Sequence, residues 1–174
     1  AHQQYLYGLS LYHIGEMFGE MNEYDEMLEK HLKFTDFGEN IGNVDFINRG
    51  LNGIGRAYLG KKEFEKCLEY LKLADEKIKQ AANLPFIARN QHDLGFTDFQ
   101  MKEYEKSIHH YGKALEIRKA NKYTNASITT LLGLSQVYTA KANFKTSIQL
   151  LEEAKAIAET FNVKRKIYQI YLEL

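Results

Sequence analysis

The 174-residue chain carries 23 lysine and arginine residues and 23 aspartate and glutamate residues, so its formal net charge is zero. This balance argues against nucleic-acid binding by the chain, because sequence-independent contacts with phosphates need a surplus of basic residues. A single cysteine excludes an internal disulfide, and no apolar run approaches the roughly 18 residues of a membrane span, so we expect a cytoplasmic protein without membrane contacts.

Apolar residues recur at helical spacing along most of the chain, and the single proline favours an all-α fold. The first pair of helices is predicted at residues 3–21 and 24–37, with a return turn at residues 38–43 whose glycines suit a helix end. A tight turn at residues 60–62 joins the second pair. The later helices are predicted at residues 86–100, 104–120, 127–139 and 144–160, and residues 163–174 begin a fifth first helix.

Five columns of residues keep a spacing of 40 over four copies, which indicates a repeat of helix pairs. The glycine or serine column marks where two helices cross too closely for a larger side chain, and the aromatic column opens each second helix. Small residues let that second helix approach its neighbour. The columns are Gly15, Gly55, Gly95 and Ser135; Ile14, Ile54, Leu94 and Leu134; Tyr24, Phe64, Tyr104 and Phe144; Met27, Cys67, Ser107 and Ser147; and Phe34, Ala74, Ala114 and Ala154.

The column pattern resembles the tetratricopeptide repeat (TPR), and the third copy carries it as Leu94, Gly95, Tyr104, Ser107, Tyr111 and Ala114. The period is longer than the roughly 34 residues of the common form, and it is similar to that of repeats in bacterial signalling proteins. The resemblance implies an all-α, right-handed α-solenoid of four helix-turn-helix pairs and a partial fifth. Armadillo and HEAT repeats have a comparable period but lack these columns, so they are the less favoured alternative.

We expect a single TPR-like solenoid domain over residues 1–174. Its repeats are predicted at about 3–40, 43–82, 83–122 and 123–162, followed by a partial helix at 163–174. The apolar residues of this last segment suit contact with a further helix, so we expect the chain to be a fragment of a longer protein.

Residues with potential chemistry are few, and packing or solvation explains each of them better. The segment Gly53-Ile54-Gly55 lacks the third glycine and the preceding strand of a dinucleotide-binding loop. His109 and His110 are adjacent and therefore point to different faces of a helix, without a converging cluster of carboxylates or cysteines. We expect no cofactor, no metal ion and no enzymatic activity.

The TPR resemblance implies that the first helix of each pair lines a concave groove where partners bind. Residues six and three before, and one and four after, the glycine or serine column share one helix face. Three of the five arginines fall in these positions, and arginine forms paired hydrogen bonds with carboxylates. The candidate ligand-binding residues are Tyr12, Glu16, Arg49, Asn52, Arg56, Arg89, His92, Phe96, Phe99 and Gln136.

Two interpretations of these residues stay open at this point. In the first, the groove is basic in its middle and binds an acidic or carboxylate-bearing peptide segment, with Asn52 holding the peptide backbone and Phe96 and Phe99 forming an apolar anchor. In the second, the arginines pair with local acids such as Glu16 or Asp93 and only solvate the inner face. The sequence supports both equally.

The favoured function is a protein- or peptide-binding module that forms the sensory or scaffolding part of a bacterial signal-transduction or transcription-regulating protein. One alternative is a peptide-pheromone receptor of the quorum-sensing type, because those proteins resemble this one in using long-period repeats and a groove asparagine. Another is a structural scaffold that self-associates through the C-terminal helix at residues Val163 to Leu174.

Overall fold

The structure of the protein, a computed structural model, describes residues 2–79 and 83–173, and this part of the chain is all-α. Its helices pack as consecutive pairs, so the predicted fold class of TPR-like helix pairs is confirmed. In the described ranges the helices are α1 (His2–Glu20), α2 (Tyr24–Asn40), α3 (Val44–Gly60), α4 (Phe64–Lys79), α5 (Leu84–Gln100), α6 (Tyr104–Ala120), α7 (Thr124–Ala140), α8 (Phe144–Thr160) and α9 (Lys164–Glu173).

The helices follow one another with a strict spacing. Helices α2 to α9 begin at residues 24, 44, 64, 84, 104, 124, 144 and 164, so successive helix starts lie 20 residues apart. Helices α2, α3 and α5 to α8 are each 17 residues long, which leaves three residues for a turn. The length of this repeat therefore lies in its helices and not in extended return loops.

Each described three-residue turn places its middle residue in the left-handed region of the backbone. Gly42 has a φ angle of 66°, and the other residues of this kind are Asn22, Lys62, Lys102, Lys122, Ala142 and Asn162. The amide that follows Gly42, Asn43 N, donates to Gly38 O at 2.8 Å, while Gly42 N donates to Glu39 O at 3.1 Å. This pair of bonds is the Schellman motif, which satisfies the last carbonyl groups of a helix.

Two predicted helix limits were wrong by three residues. Helix α2 continues through Gly38 to Asn40, because Gly38 serves a close helix contact: a Cβ there would lie 2.9 Å from the backbone nitrogen of Ile47. Helix α7 begins at Thr124, three residues before the predicted start at Ser127. The first turn of α7 carries no proline and its polar residues are compatible with a helix, so the helix extends to Thr124.

The chain divides into two compact units, unit 1 at residues 1–93 and unit 2 at residues 94–174. In unit 1, Leu11, Tyr12, Phe34 and Phe46 form an apolar core cluster. The imidazole ring of His31 is completely buried beside it, where a Cβ on Gly15 or Gly53 would collide with the ring. Gly15, a member of the predicted glycine column, and Gly53 thus lie where α1 and α3 approach one side chain of α2.

Two core clusters lie among the described residues of unit 2. One joins Tyr111, Leu134 and Val137, and the ring of Tyr111 lies against Gly95 and Gly133 in the way that His31 lies against its own glycines in unit 1. The other forms mainly between α7, α8 and α9, and includes the fully buried Ile170. The small-residue column has the predicted role here, since the hydroxyl of Ser107 donates to Gly95 O at 2.7 Å and thereby joins the two helices.

Candidate ligand-binding site

Five of the candidate ligand-binding residues meet in unit 1. Tyr12 and Glu16 come from α1, Arg49 and Arg56 from α3, and Arg89 from α5. On each helix the residues are separated by four or seven positions, so they lie on one face. We call these five residues the arginine cluster.

Glu16 is the residue that joins most of the cluster. Arg56 Nη1 donates to Glu16 Oε1 at 2.7 Å and to Oε2 at 2.8 Å, and Arg89 Nη2 donates to Oε2 at 3.3 Å. His31 Nε2 lies 3.5 Å from Oε1 on the buried side. Burial alone would raise the pKa of Glu16, but the contact with His31 and the charges of Arg56 and Arg89 hold it well below its ordinary range.

The two arginines that pair with Glu16 remain in contact with solvent. Their side chains are 32% exposed at Arg56 and 33% exposed at Arg89, against 25% at Glu16. Arg89 Nη1 also donates to the hydroxyl of Tyr12 at 2.9 Å. Burial would lower the pKa of Arg89, but Asp93, Tyr12 and Glu16 together raise it above its ordinary value, so the guanidinium stays charged.

Arg49 makes contacts of a different kind. Its guanidinium carbon lies 4.6 Å from the ring centre of Phe86 and 5.7 Å from that of Tyr12. Its Nε is buried without a hydrogen-bond partner, and across the described ranges no carboxylate lies within ion-pair distance of its guanidinium. Arg49 is therefore held by aromatic rings and not by an acid.

Asn52 lies beside the arginine cluster and belongs to a separate series of hydrogen-bonded side chains. It is 6% exposed, and its Nδ2 donates to Asp93 Oδ2 at 3.0 Å and to Asn90 Oδ1 at 3.3 Å. Asn90 in turn donates to Leu71 O at 2.8 Å, which ties α5 to α4. The side-chain amide of Asn52 thus already makes contacts within unit 1. His92 is half-buried on α5.

The other three candidates belong to unit 2 and do not join the cluster. Phe96 and Phe99 are partly buried against the core cluster around Tyr111, and the rings of Phe99 and Tyr104 are 6.2 Å apart. Gln136 Nε2 donates to Glu173 Oε1 at 3.3 Å on an exposed surface. The structure thus brings together Tyr12, Glu16, Arg49, Arg56 and Arg89, with Asn52 nearby.

Sequence reasoning missed two contributors to this site. Phe86, whose ring lies against the guanidinium of Arg49, is not among the predicted site residues, although it lies three residues before Arg89 and hence on the same face of α5. His31 is completely buried, and nothing in the residue columns indicates its contact with Glu16. The periodicity placed both residues correctly and gave no information on their partners.

Two other kinds of feature are absent from the parts of the chain that the structure describes. There, no group of three or more histidine, cysteine, aspartate or glutamate side chains is arranged to hold a metal ion. None of the described helices combines the length and the apolar character that crossing a membrane requires.

The family comparison bears on the second half of the chain. Residues 86–160 match the family model described as tetratricopeptide repeat. The chain contains tetratricopeptide repeats. The resemblance inferred from the residue columns is confirmed, and α5 to α8 make up the matched TPR segment. No curated protein matches the sequence.

Solved structures with the same fold come from several proteins. The apo form of RapI has 18% sequence identity and a TM-score of 0.83, and the match covers 94% of this chain and 60% of RapI. BtubC from P. vanneervenii has 17% identity and a TM-score of 0.78, with 91% of this chain and 66% of that protein covered. A Rap protein in complex with Competence and Sporulation Factor has 12% identity and a TM-score of 0.87, with coverage of 92% and 45%.

At these identities the comparisons establish the fold. The TPR chain spans less than two thirds of the length of each of these three proteins.

Proposed function

We propose that this TPR chain is a protein- or peptide-binding module and that the arginine cluster is its binding site. The observation that carries the proposal is the convergence of side chains from three successive first helices, α1, α3 and α5, at one partly exposed place. Arginine and tyrosine are the residue types that most often dominate binding energy in protein interfaces.

The ligand is an acidic or carboxylate-bearing segment. The guanidinium groups of Arg49 and Arg89 contact Tyr12, and that of Arg56 contacts Glu16. Among the described residues, Glu16 and Asp93 are the carboxylates that act on these arginines. Guanidinium groups bind carboxylates through charge-assisted hydrogen bonds, which are about twice as strong as bonds between neutral groups. The local excess of positive charge therefore favours an aspartate, a glutamate or a chain terminus of the partner.

The biological role that fits best is the sensory or scaffolding part of a cytoplasmic bacterial signalling or transcription-regulating protein. Support comes from the likeness to RapI and to the Rap protein bound to Competence and Sporulation Factor. Because the chain spans 60% and 45% of those proteins, the activity of the whole protein is part of the proposal.

Two other roles have an observation in their favour. A peptide-pheromone receptor is supported by the TM-score of 0.87 with the Rap protein in complex with its factor. A self-associating scaffold is supported by the exposure of Tyr171 at 55% and Leu172 at 70% on α9. A concentration-dependent dimer, abolished by replacing both residues with serine, would identify the scaffold.

A random peptide library displayed on phage tests the proposal. The wild-type chain is the bait, and a variant with Arg49, Arg56 and Arg89 all replaced by Gln is the counter-selection. We expect enriched peptides to carry Asp or Glu and to lose binding to the variant. Replacing Arg165, an exposed arginine of α9, with Gln is the matched control and should leave binding intact. Peptides without acidic residues, or equal binding to both baits, would reject the acidic-ligand site.

A further inference from the structure

We infer that Arg49 is the residue of the arginine cluster that meets the ligand carboxylate, whereas Arg56 and Arg89 hold Glu16 and Tyr12 in place. This inference rests on the proposed function and divides the roles of the three arginines. It makes Arg49 the determinant of specificity for acidic ligands.

The hydrogen-bond partners separate the arginines. Arg56 donates twice to Glu16, and Arg89 donates to Glu16 and to Tyr12. Arg49 has no such partner: its Nε is unpaired, and in the described chain no carboxylate lies within ion-pair distance. A ligand carboxylate at Arg56 or Arg89 would have to displace Glu16, whereas at Arg49 it displaces no acid.

The aromatic contacts orient the guanidinium of Arg49. Its central carbon lies over the faces of both rings, 4.6 Å from the ring centre of Phe86 and 5.7 Å from that of Tyr12. A guanidinium that stacks on aromatic rings keeps its edge, which carries the N–H donors, for a planar ligand. A carboxylate is such a ligand, since its two oxygens accept two parallel hydrogen bonds.

The rest of the cluster holds in place the ring of Tyr12, which contacts Arg49. Tyr12 is 9% exposed, its hydroxyl accepts from Arg89 at 2.9 Å, and its ring lies 5.5 Å from Phe34 and 5.7 Å from His31. Arg89 is itself held by Glu16. Binding at Arg49 therefore needs little rearrangement, and preorganised groups lose less entropy on binding.

The experiment follows the Nε–Hε resonances of the arginine side chains by NMR during a peptide titration. The probe is acetyl-Glu-Glu-Glu-amide, and acetyl-Gln-Gln-Gln-amide is its uncharged control. We expect the resonance of Arg49 to shift with the glutamate probe only. The R49Q variant should bind the probe about tenfold more weakly or worse, because a charge-assisted bond is lost, and R56Q should retain most of the affinity.

A second variant guards against a folding defect in R49Q. Phe86→Leu keeps the guanidinium and removes one of its two aromatic contacts, so it should weaken probe binding while circular dichroism stays unchanged. Shifts centred on Arg56 and Arg89, unchanged affinity in R49Q, or no shift of any arginine would each overturn the assignment to Arg49. Library peptides that still bind the cluster in R49Q would preserve the proposed function and reject only this assignment. A shift of Arg49 without any library ligand would reject peptide binding but retain the carboxylate site.

Discussion

A single nitrogen of Arg56, Nη1, donates to both carboxylate oxygens of Glu16, at 2.7 Å and 2.8 Å. Both bonds require Glu16 to be ionised. Because Arg89 and His31 contact the same carboxylate, three residues from three helices depend on one negative charge. The stability of unit 1 should therefore respond to the ionisation of Glu16.

We expect Glu16→Gln to lower the free energy of unfolding at pH 7 by about 1–2 kcal/mol, since it leaves a partly buried pair of arginines without their anion. The pKa of Glu16 is lower in the folded chain than in the unfolded chain, whose ordinary value is 4.5. Its ionisation therefore stabilises the fold fully above pH 4.5, and this contribution is lost as the pH falls below that value, because the unfolded chain takes up the proton first.

Urea unfolding of the wild type and E16Q at a series of pH values measures this effect. The difference in stability between the two proteins should narrow progressively below pH 4.5. Glu76→Gln, which removes an exposed carboxylate of α4, is the control for the general effect of lost charge. If the difference in unfolding free energy between wild type and E16Q stayed constant down to pH 3, the ionisation of Glu16 would not be its source.

Two glycines near Tyr111 should respond in opposite directions to the same change. A Cβ at Gly133 would lie 2.7 Å from Cζ of Tyr111, whereas a Cβ at Gly112, on exposed α6 surface, has nothing within 4 Å. We expect Gly133→Ala to destabilise the fold by about 1–3 kcal/mol through overpacking. Gly112→Ala should stabilise it by up to about 1 kcal/mol, because alanine favours a helix. Thermal unfolding of both variants measures these changes in stability. A stabilised G133A variant would mean that the ring of Tyr111 moves away from the added methyl group at little cost.

The left-handed turns offer a stabilising substitution. Ala142 has a φ angle of 57°, which strains any residue that carries a Cβ. We expect Ala142→Gly to raise the free energy of unfolding by about 0.5–1 kcal/mol. Gly42→Ala should have the opposite effect at the equivalent turn, where φ is 66°. The control is Ala156→Gly on the exposed face of α8, which should cost about 1 kcal/mol; a loss of stability in A142G as well would contradict the turn geometry.

The hydroxyl of Ser107 provides a test of the small-residue column. It donates to Gly95 O at 2.7 Å and is completely buried. Ser107→Ala should cost about 1 kcal/mol, because the bond is lost while the small volume is kept. The exposed hydroxyl of Ser10 also donates to a backbone carbonyl, Leu6 O, so Ser10→Ala is the matched control and should be neutral or stabilising. If chemical unfolding showed the same change in stability for Ser107→Ala and Ser10→Ala, the hydroxyl of Ser107 would have no role in joining the helices.

The glycine column was predictable from the sequence because its role in the fold depends only on the absence of a side chain. Gly15, Gly55 and Gly95 recur at a fixed spacing, and each faces a large side chain of a second helix, namely His31, Leu71 and Tyr111. The limit of this reasoning is Gly38, which looks like a helix end in the sequence. Only the position of Ile47 shows that Gly38 is needed for close packing inside α2.

The candidate site was predictable in its residues but not in their roles. Arg56 has Glu16 one repeat earlier in its own column, and the structure pairs them. The residue 40 positions before Arg49 is Leu9, which is apolar. The sequence therefore indicates that Arg49 has no acidic partner one repeat earlier. The hydrogen bond from Arg89 on α5 to Tyr12 on α1 depends on the relative positions of α1, α3 and α5. The residue columns do not predict these positions.

The contacts of Arg89 have a consequence for the order in which unit 1 assembles. Arg56 and Glu16 are 40 residues apart in sequence, whereas Arg89 contacts Tyr12 and Glu16 over separations of 77 and 73 residues. Closing a longer stretch of chain costs more entropy, so these contacts form after α1 and α3 have docked. We therefore expect the arginine cluster to be completed after these two helices dock and to be lost when the part of α5 in unit 1 opens locally. Ligand affinity would therefore report on the docking of one helix well before the chain as a whole unfolds.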